Sequence, residues 1–334
     1  MNWHGKRYYS FDSFLKNHFG EKIYKVSLDG GFTCPNRDGT IGTGGCIFCS
    51  EGGSGDFASD ASLSVHQQIT QGISLLSKKA ETSHYIAYFQ AFTNTYGPID
   101  KLRRLFTEAI DDKRIVALAI GTRPDCLPPK VLDLLEELNQ KKPVFVELGL
   151  QTVHEKTADF IRRVYPLSCF EQAVFDLAKR EILTVVHLIL GLPGETDDMM
   201  LDSVRYLNKL PIHGVKLSML HVLKYTDLAD FYKKEPFHIF QMDEYVQLVL
   251  KCIANLRKDI VIHRLTGDGP KDLLIAPEWS LHKRKVLNEI AHQLKVKDLR
   301  QGDYYNETVT DNNCFGNDKS LQKTVCNPEG QNNF

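Results

Sequence analysis

Cys34, Cys46 and Cys49 stand together as C-x11-C-x2-C in a glycine-rich stretch, whereas Cys126, Cys169, Cys252, Cys314 and Cys326 are scattered. The thiolate is the form of cysteine that binds metal, so three converging from one loop point to zinc or to an iron–sulfur cluster. A closed zinc site needs a fourth protein ligand, and His4, His66 and His84 have no recognisable knuckle spacing to the cysteines. Iron–sulfur clusters usually use four cysteines, so three dedicated ligands would leave one iron open to a substrate or cofactor. That opening is a catalytic feature.

Such a loop needs a scaffold. Short β-branched runs alternate with longer helical patterns, the signature of successive β/α units around a parallel sheet. Strands are expected at 23–30, 84–92, 114–122, 143–151, 183–192 and 214–223, with helices near 63–79, 98–111, 128–140, 155–180 and 196–209, the fourth broken at Pro166. Right-handed crossovers would close these six units into a partial (β/α)6 barrel of the TIM type; a doubly wound sheet is the alternative α/β arrangement. Residues 1–20 read as an N-terminal extension, 21–225 as the barrel core and 226–300 as a C-terminal α/β extension closing the barrel. Helices are expected there at 226–234, 242–257 and 280–296, with a strand-like IVIHRL at 260–265. From Gln301 the chain turns polar, and 301–334 is expected to be a loose tail that cannot bury enough apolar area to order itself.

The 334 residues are 42% hydrophobic and 25% charged, which excludes disordered, collagenous and coiled-coil classes. Forty-one basic residues against 42 acids leave a net charge of −1, so no global field attracts nucleic acid or an anionic membrane. A local one exists at 257–300, where ten Lys/Arg face six acids, a net of +4. No apolar run reaches the ~18 residues of a membrane span, and the start lacks a signal-peptide core, so no membrane role and a cytoplasmic location are expected, with cysteines kept reduced.

The stretch TCPNRDGTIGTGGCIFCSEGG at 33–53, following the first strand of a β/α chain, resembles the cluster loop of radical S-adenosylmethionine (SAM) enzymes. Its long first interval is similar to that of the Elongator catalytic-subunit-like branch and, over almost the whole chain, to the YhcC/YtqA-type radical SAM proteins; Phe48 within C-I-F-C fits the same pattern. The resemblance implies that Cys34, Cys46 and Cys49 hold a [4Fe–4S] cluster whose open iron chelates SAM. It also implies a one-electron donor such as flavodoxin or ferredoxin, and a 5′-deoxyadenosyl radical that abstracts hydrogen from a substrate. The Elongator-like branch acts on tRNA, so RNA is one expected substrate class; a small molecule or peptide, or a non-catalytic zinc-stabilised binding barrel, are the alternatives.

In β/α barrels ligands sit at the C-terminal ends of strands, so polar residues there read as site residues first. Thr93 and Asn94 end the second strand, where the resembling enzymes place SAM, with turn capping as the alternative. Arg123, in G-T-R-P-D, offers a bidentate fork for a carboxylate or phosphate. Gln151 and Arg163 resemble a SAM-contacting pair. Glu147, in an apolar strand, needs partners, and either the cofactor site or a lysine at the barrel mouth would supply them. In V-H-L-I-L-G-L-P-G-E, His187 replaces the usual acid and is read as a site residue or a core histidine, and Gly191 would let the chain pass close to adenine. Leu220 and Val222 are carried over as backbone contacts to adenine. Beyond the sixth unit, H-R-L-T-G-D-G-P-K-D-L-L-I-A-P at 263–277 suggests a loop in which Arg264, Asp268 and Lys271 line the substrate entrance, the alternative being a hairpin turn at Asp268 and Gly269.

Overall fold

The computed structural model describes residues 2–53, 60–77, 82–267 and 269–306. After helix α1 (Phe11–Phe19), strands and helices alternate as β1 (Tyr24–Leu28), α2 (Val65–Ser77), β2 (Tyr85–Phe89), α3 (Ile99–Asp111), β3 (Ile115–Thr122) and α4 (Pro129–Asn139). There follow β4 (Val144–Gln151), α5 (Glu155–Phe160), α6 (Leu167–Ala178), β5 (Leu183–Leu190), α7 (Asp197–Leu207) and β6 (Gly214–Met219). The remainder comprises β7 (Val222–Leu223), α8 (Asp227–Lys234), α9 (Met242–Asn255), β8 (Val261–Arg264), β9 (Leu274–Ala276) and α10 (Lys283–Val296). Pro166 caps α6 and separates it from α5, as the expected break requires.

Seven parallel strands in the order β1-β2-β3-β4-β5-β6-β8 form one curled half-barrel, with β1 and β8 as its two edges. This is the expected partial barrel, and the strand-like 260–265 joins it beside β6 as a seventh strand. Every residue of β2 is buried, which is what helices on one face and a filled interior on the other demand of a parallel strand. The covering helices carry one apolar stripe each: on α3 it is Leu102, Leu105, Phe106, Ala109 and Ile110, at helical spacing.

The N-terminal extension does structural work. Ser10 caps α1 by accepting the Ser13 N–H, and Gly20 ends it in the left-handed conformation at φ 76°. Phe11 and Phe14 meet the ring of Phe145 edge-on at 5.8 and 6.2 Å, and Phe11 stacks on His263 at 4.0 Å. Helix α1 thereby stoppers the N-terminal end of the half-barrel, while the Ile262 N–H donates to the Tyr9 carbonyl at 2.8 Å beside the β8 edge.

Two sequence expectations change in the C-terminal part. Strand β9 pairs antiparallel with β7, not with β8, so the segment joining β8 to β9 is a crossover between sheets and not a hairpin. Gln301, placed at the start of the loose tail, is fully buried: it accepts the Tyr9 N–H at 2.8 Å and donates to the carbonyls of Arg257 and Ile260 at 2.6 and 2.8 Å. A polar composition does not preclude docking when a side chain replaces backbone partners. Residues 307–334, with Cys314 and Cys326, lie outside the described residues, as does Asp268.

Candidate functional site

The loop after β1 carries the three cysteines over the C-terminal ends of the strands. Turn bonds shape it: the N–H groups of Arg37 and Asp38 donate to the Cys34 carbonyl at 2.8 and 3.2 Å, and that of Cys49 to the Cys46 carbonyl at 3.0 Å. Asn36, buried, ties the loop to the barrel by donating to the Arg162 carbonyl at 2.8 Å, with Cys46 Sγ 3.9 Å from the same nitrogen. Gly45 adopts φ +70°, a conformation that side chains rarely take. All three thiols are free. A hydrogen bond from the Cys49 thiol, with Arg123, Asn36 and Arg37 close by, brings Cys46 down to about 7 against the effect of its burial. The same bond, with burial, holds Cys49 well above the usual thiol range.

These donors fit an iron–sulfur cluster: three free thiols on one loop, with Arg37 and Arg123 to offset the charge of the thiolates. Among the described residues no three His, Cys, Asp or Glu side chains gather as the ligands of one metal ion would.

Below the loop, inside the half-barrel, lies a cavity of about 1000 Å³ lined by all three cysteines and by Phe48. Of the residues expected from the strand ends, Thr93, Arg123, Glu147, Gln151, Arg163, His187, Leu220 and Arg264 line it. Arg123 is 8% exposed, forks onto both oxygens of Asp125 at 2.9 and 2.6 Å and lies over the Tyr165 ring. Burial works against its charge, and Asp125 more than offsets this. Asp125 therefore serves Arg123 rather than capping the next helix, whose N-cap is Pro128. Gln151 follows a β-bulge at Gly149 and holds φ 68°, a costly backbone conformation for a side-chain-bearing residue at a cavity wall.

Arg163 is less available than its motif suggests. Its guanidinium donates to the carbonyls of Tyr165, Leu150 and Thr152 at 3.0, 3.3 and 2.7 Å and to both oxygens of Glu155 at 3.1 and 3.0 Å. It braces the end of β4, where Gln151 lies, through the carbonyls of Leu150 and Thr152 on either side.

Four expected residues fall outside the lining. Asn94 is buried and donates to the carbonyls of Ala91 and Gly121 at 2.7 and 3.0 Å, the turn-capping role. Gly191, at φ +89°, borders a separate cavity of about 480 Å³ with Glu195, Phe237 and Phe240. Val222 is buried in the apolar cluster around Ile47 and Ile161, and its strand pairs with β9. Lys271 is exposed and away from the cavity, where Gly269 and Pro270 take the expected place. A Cβ on Gly267 would lie 2.2 Å from His221, so this crossover passes where only glycine fits.

On the floor of the cavity Glu147 and His187 meet three residues that sequence reading missed, Lys25, Lys216 and Tyr88; the lysine alternative for Glu147 is the one the structure shows. Glu147, fully buried, lies 2.7 Å from Lys25 Nζ on β1, 3.0 Å from His187 Nε2 on β5, and in contact with Lys216 Nζ on β6. Tyr88 on β2 places its hydroxyl 3.4 Å from Lys216. Burial would raise Glu147, but Lys216, Lys25 and His187 hold it well below the usual carboxylate range. Burial brings Lys216 down to about 7 despite Glu147, with Lys25 and Arg264 adding to the effect. The signal was present in sequence, since Lys25 in YKVSL and Lys216 in GVKLSM interrupt apolar strands as Glu147 does; what it lacked was which lysines pair with Glu147.

The model of the Radical SAM superfamily matches residues 37–207, and that of the Radical_SAM C-terminal domain matches 212–296. The chain is 43% identical over 300 residues to the uncharacterised protein YtqA of Bacillus subtilis (strain 168), covering 90% of this chain and 93% of that one. It is 24% identical over 167 residues to a tRNA uridine(34) acetyltransferase of Methanocaldococcus jannaschii, 49% of this chain and 30% of that protein. Among solved structures, the archaeal Methanocaldococcus infernus Elp3 superposes with a TM-score of 0.64 at 17% identity, over 84% of this chain and 64% of that longer one. The half-barrel, the thiol loop above its cavity and these matches place the chain in the radical SAM superfamily.

Proposed function

We propose that Cys34, Cys46 and Cys49 hold a [4Fe–4S] cluster, that SAM occupies the upper cavity beneath it, and that the chemistry acts on an RNA. The observation that carries the reading is the arrangement of three free thiols on one loop above the cavity. With an electron from a donor such as flavodoxin or ferredoxin, the cluster and SAM would supply one-electron cleavage of the sulfonium to a 5′-deoxyadenosyl radical. The chain's own part is to bind, orient and exclude water. Gln151, on its strained backbone, and Arg123 present polar groups to the upper cavity, Arg163 keeps the end of β4 in place, and Phe48 and Leu220 give the same space apolar walls. Enclosure within the half-barrel keeps a reactive species from solvent.

RNA is supported by two observations. One relative's name is tRNA uridine(34) acetyltransferase. Lys283, Arg284 and Lys285, exposed at the start of α10, form a basic run, and Lys283 also lines the cavity. Among the described residues no helix is long and apolar enough to cross a membrane. The test is anaerobic reconstitution followed by incubation with reductant, SAM and fractionated cellular RNA or metabolites. About four irons per chain with labile sulfide, and 5′-deoxyadenosine that rises only with an RNA fraction, are expected. About one zinc without sulfide would overturn the cluster, and a rise only with a metabolite or peptide fraction would overturn RNA.

A further inference from the structure

We propose that the cavity floor, where Lys25 and Lys216 converge on Glu147, is a seat for an anionic oxygen group of the substrate, a carboxylate or a phosphate. The claim rests on the functional reading above only in making the substrate the bearer of that group.

Geometry carries the argument. Two lysine amines address a single carboxylate: Lys25 Nζ is 2.7 Å from Glu147 Oε1 and Lys216 Nζ touches Oε2. The side chains of Glu147, Lys216 and Lys25 are 0%, 6% and 22% exposed, so an anion entering here would meet two amines that water screens little. Such an anion would favour the protonated form of both amines, which burial by itself disfavours. The donors are also unspent. Of three N–H groups on Lys216, one addresses Glu147 and one Tyr88, while Lys25 makes one hydrogen bond to Glu147 and otherwise faces the rings of Phe11 and Tyr88.

Position adds a second observation. The lysines line the same cavity as the cysteines, so an anion seated here leaves the rest of its molecule facing the loop above. With SAM proposed in the upper cavity beneath the cysteine loop, the floor is left to the substrate. Burial brings Lys216 down to about 7, so an entering anion and a proton would bind there together.

The test reads the lysines directly. The reconstituted enzyme is acetylated with an N-hydroxysuccinimide ester near neutral pH, with millimolar malonate, inorganic phosphate or neither, and labelling of each lysine is followed by mass spectrometry. Lys179 and Lys233 at the surface serve as internal controls. Malonate or phosphate should slow labelling of Lys25 and Lys216 about tenfold without affecting the controls. Protection by malonate alone assigns a carboxylate, and by phosphate alone a phosphate. Lys216→Met should abolish protection of Lys25, and Glu147→Gln, by removing the competing carboxylate, should strengthen protection of both lysines. Equal labelling rates with and without either anion would overturn the seat. Protection requires no turnover, and iron and sulfide counted on the same preparation report separately on the cluster.

Discussion

His187 Nε2 on β5 lies 3.0 Å from Glu147 Oε2 on β4, so the imidazole donates to a carboxylate that two lysines already hold ionised. Burial brings His187 down to about 4, with Lys216 adding to it. Burial likewise takes His213 down to about 4 and His263 well below the histidine range. Each takes up its proton near 6.5 when unfolded; folded, His187 and His213 do so only near 4 and His263 well below its ordinary value, so below 6.5 the unfolded chain binds more protons. This stability is fully present above about 6.5 and is lost as pH falls toward 4, at about 1.4 kcal/mol per pH unit for each histidine. Denaturant unfolding at several pH values measures the slope. His263→Phe, which keeps a ring against Phe11, should reduce it by about a third; an unchanged slope would place the acid sensitivity elsewhere.

Iron content separates the cysteines. Alanine at Cys34, Cys46 or Cys49 should lower iron and sulfide and abolish SAM cleavage, because each supplies one of three thiolates. Alanine at Cys126, Cys169 or Cys252, all buried and none of them on the loop, should leave iron near wild type. The loop assignment fails if Cys34→Ala retains the cluster while Cys126→Ala loses it.

Gln151 and Arg163 should separate by assay. Gln151→Ala should weaken SAM binding about tenfold with little change in melting temperature, since its side chain faces the cavity. Arg163→Ala strips partners from three carbonyls and from Glu155, and should destabilise the fold by about 3–5 kcal/mol with SAM affinity following stability. Calorimetry and SAM titration on both variants check this; a stable Arg163→Ala protein with a selective SAM defect would give the arginine a direct cofactor contact.

The β8–β9 crossover gives a steric prediction. Gly267→Ala puts a methyl 2.2 Å from His221, whose ring is held 3.1 Å from the Ser280 hydroxyl. The variant should lose about 1–3 kcal/mol and reduce substrate-dependent turnover, with iron content unchanged. Wild-type melting and turnover would mean that the crossover moves aside freely.

Period and composition were enough for the six β/α units, because a strand buried on both faces and a helix with one apolar stripe each leave a local imprint, as in YIAYF and the stripe of α3. The cysteine loop was legible for a similar reason: its three cysteines come from one short segment. Tertiary structure alone decided which strand-end residues face the cavity. Asn94 and Arg163 turned to neighbouring carbonyls, since backbone groups left bare by turns compete with any ligand for polar side chains, and Val222 went into a small apolar cluster at the β7–β9 contact. The stopper formed by α1, the buried Gln301 and the meeting of Lys25, Glu147 and Lys216 join residues up to 292 positions apart. No local pattern encodes such pairings: curling the sheet brings β1, β4 and β6 to one interior, and the cost of a buried charge selects their side chains as partners.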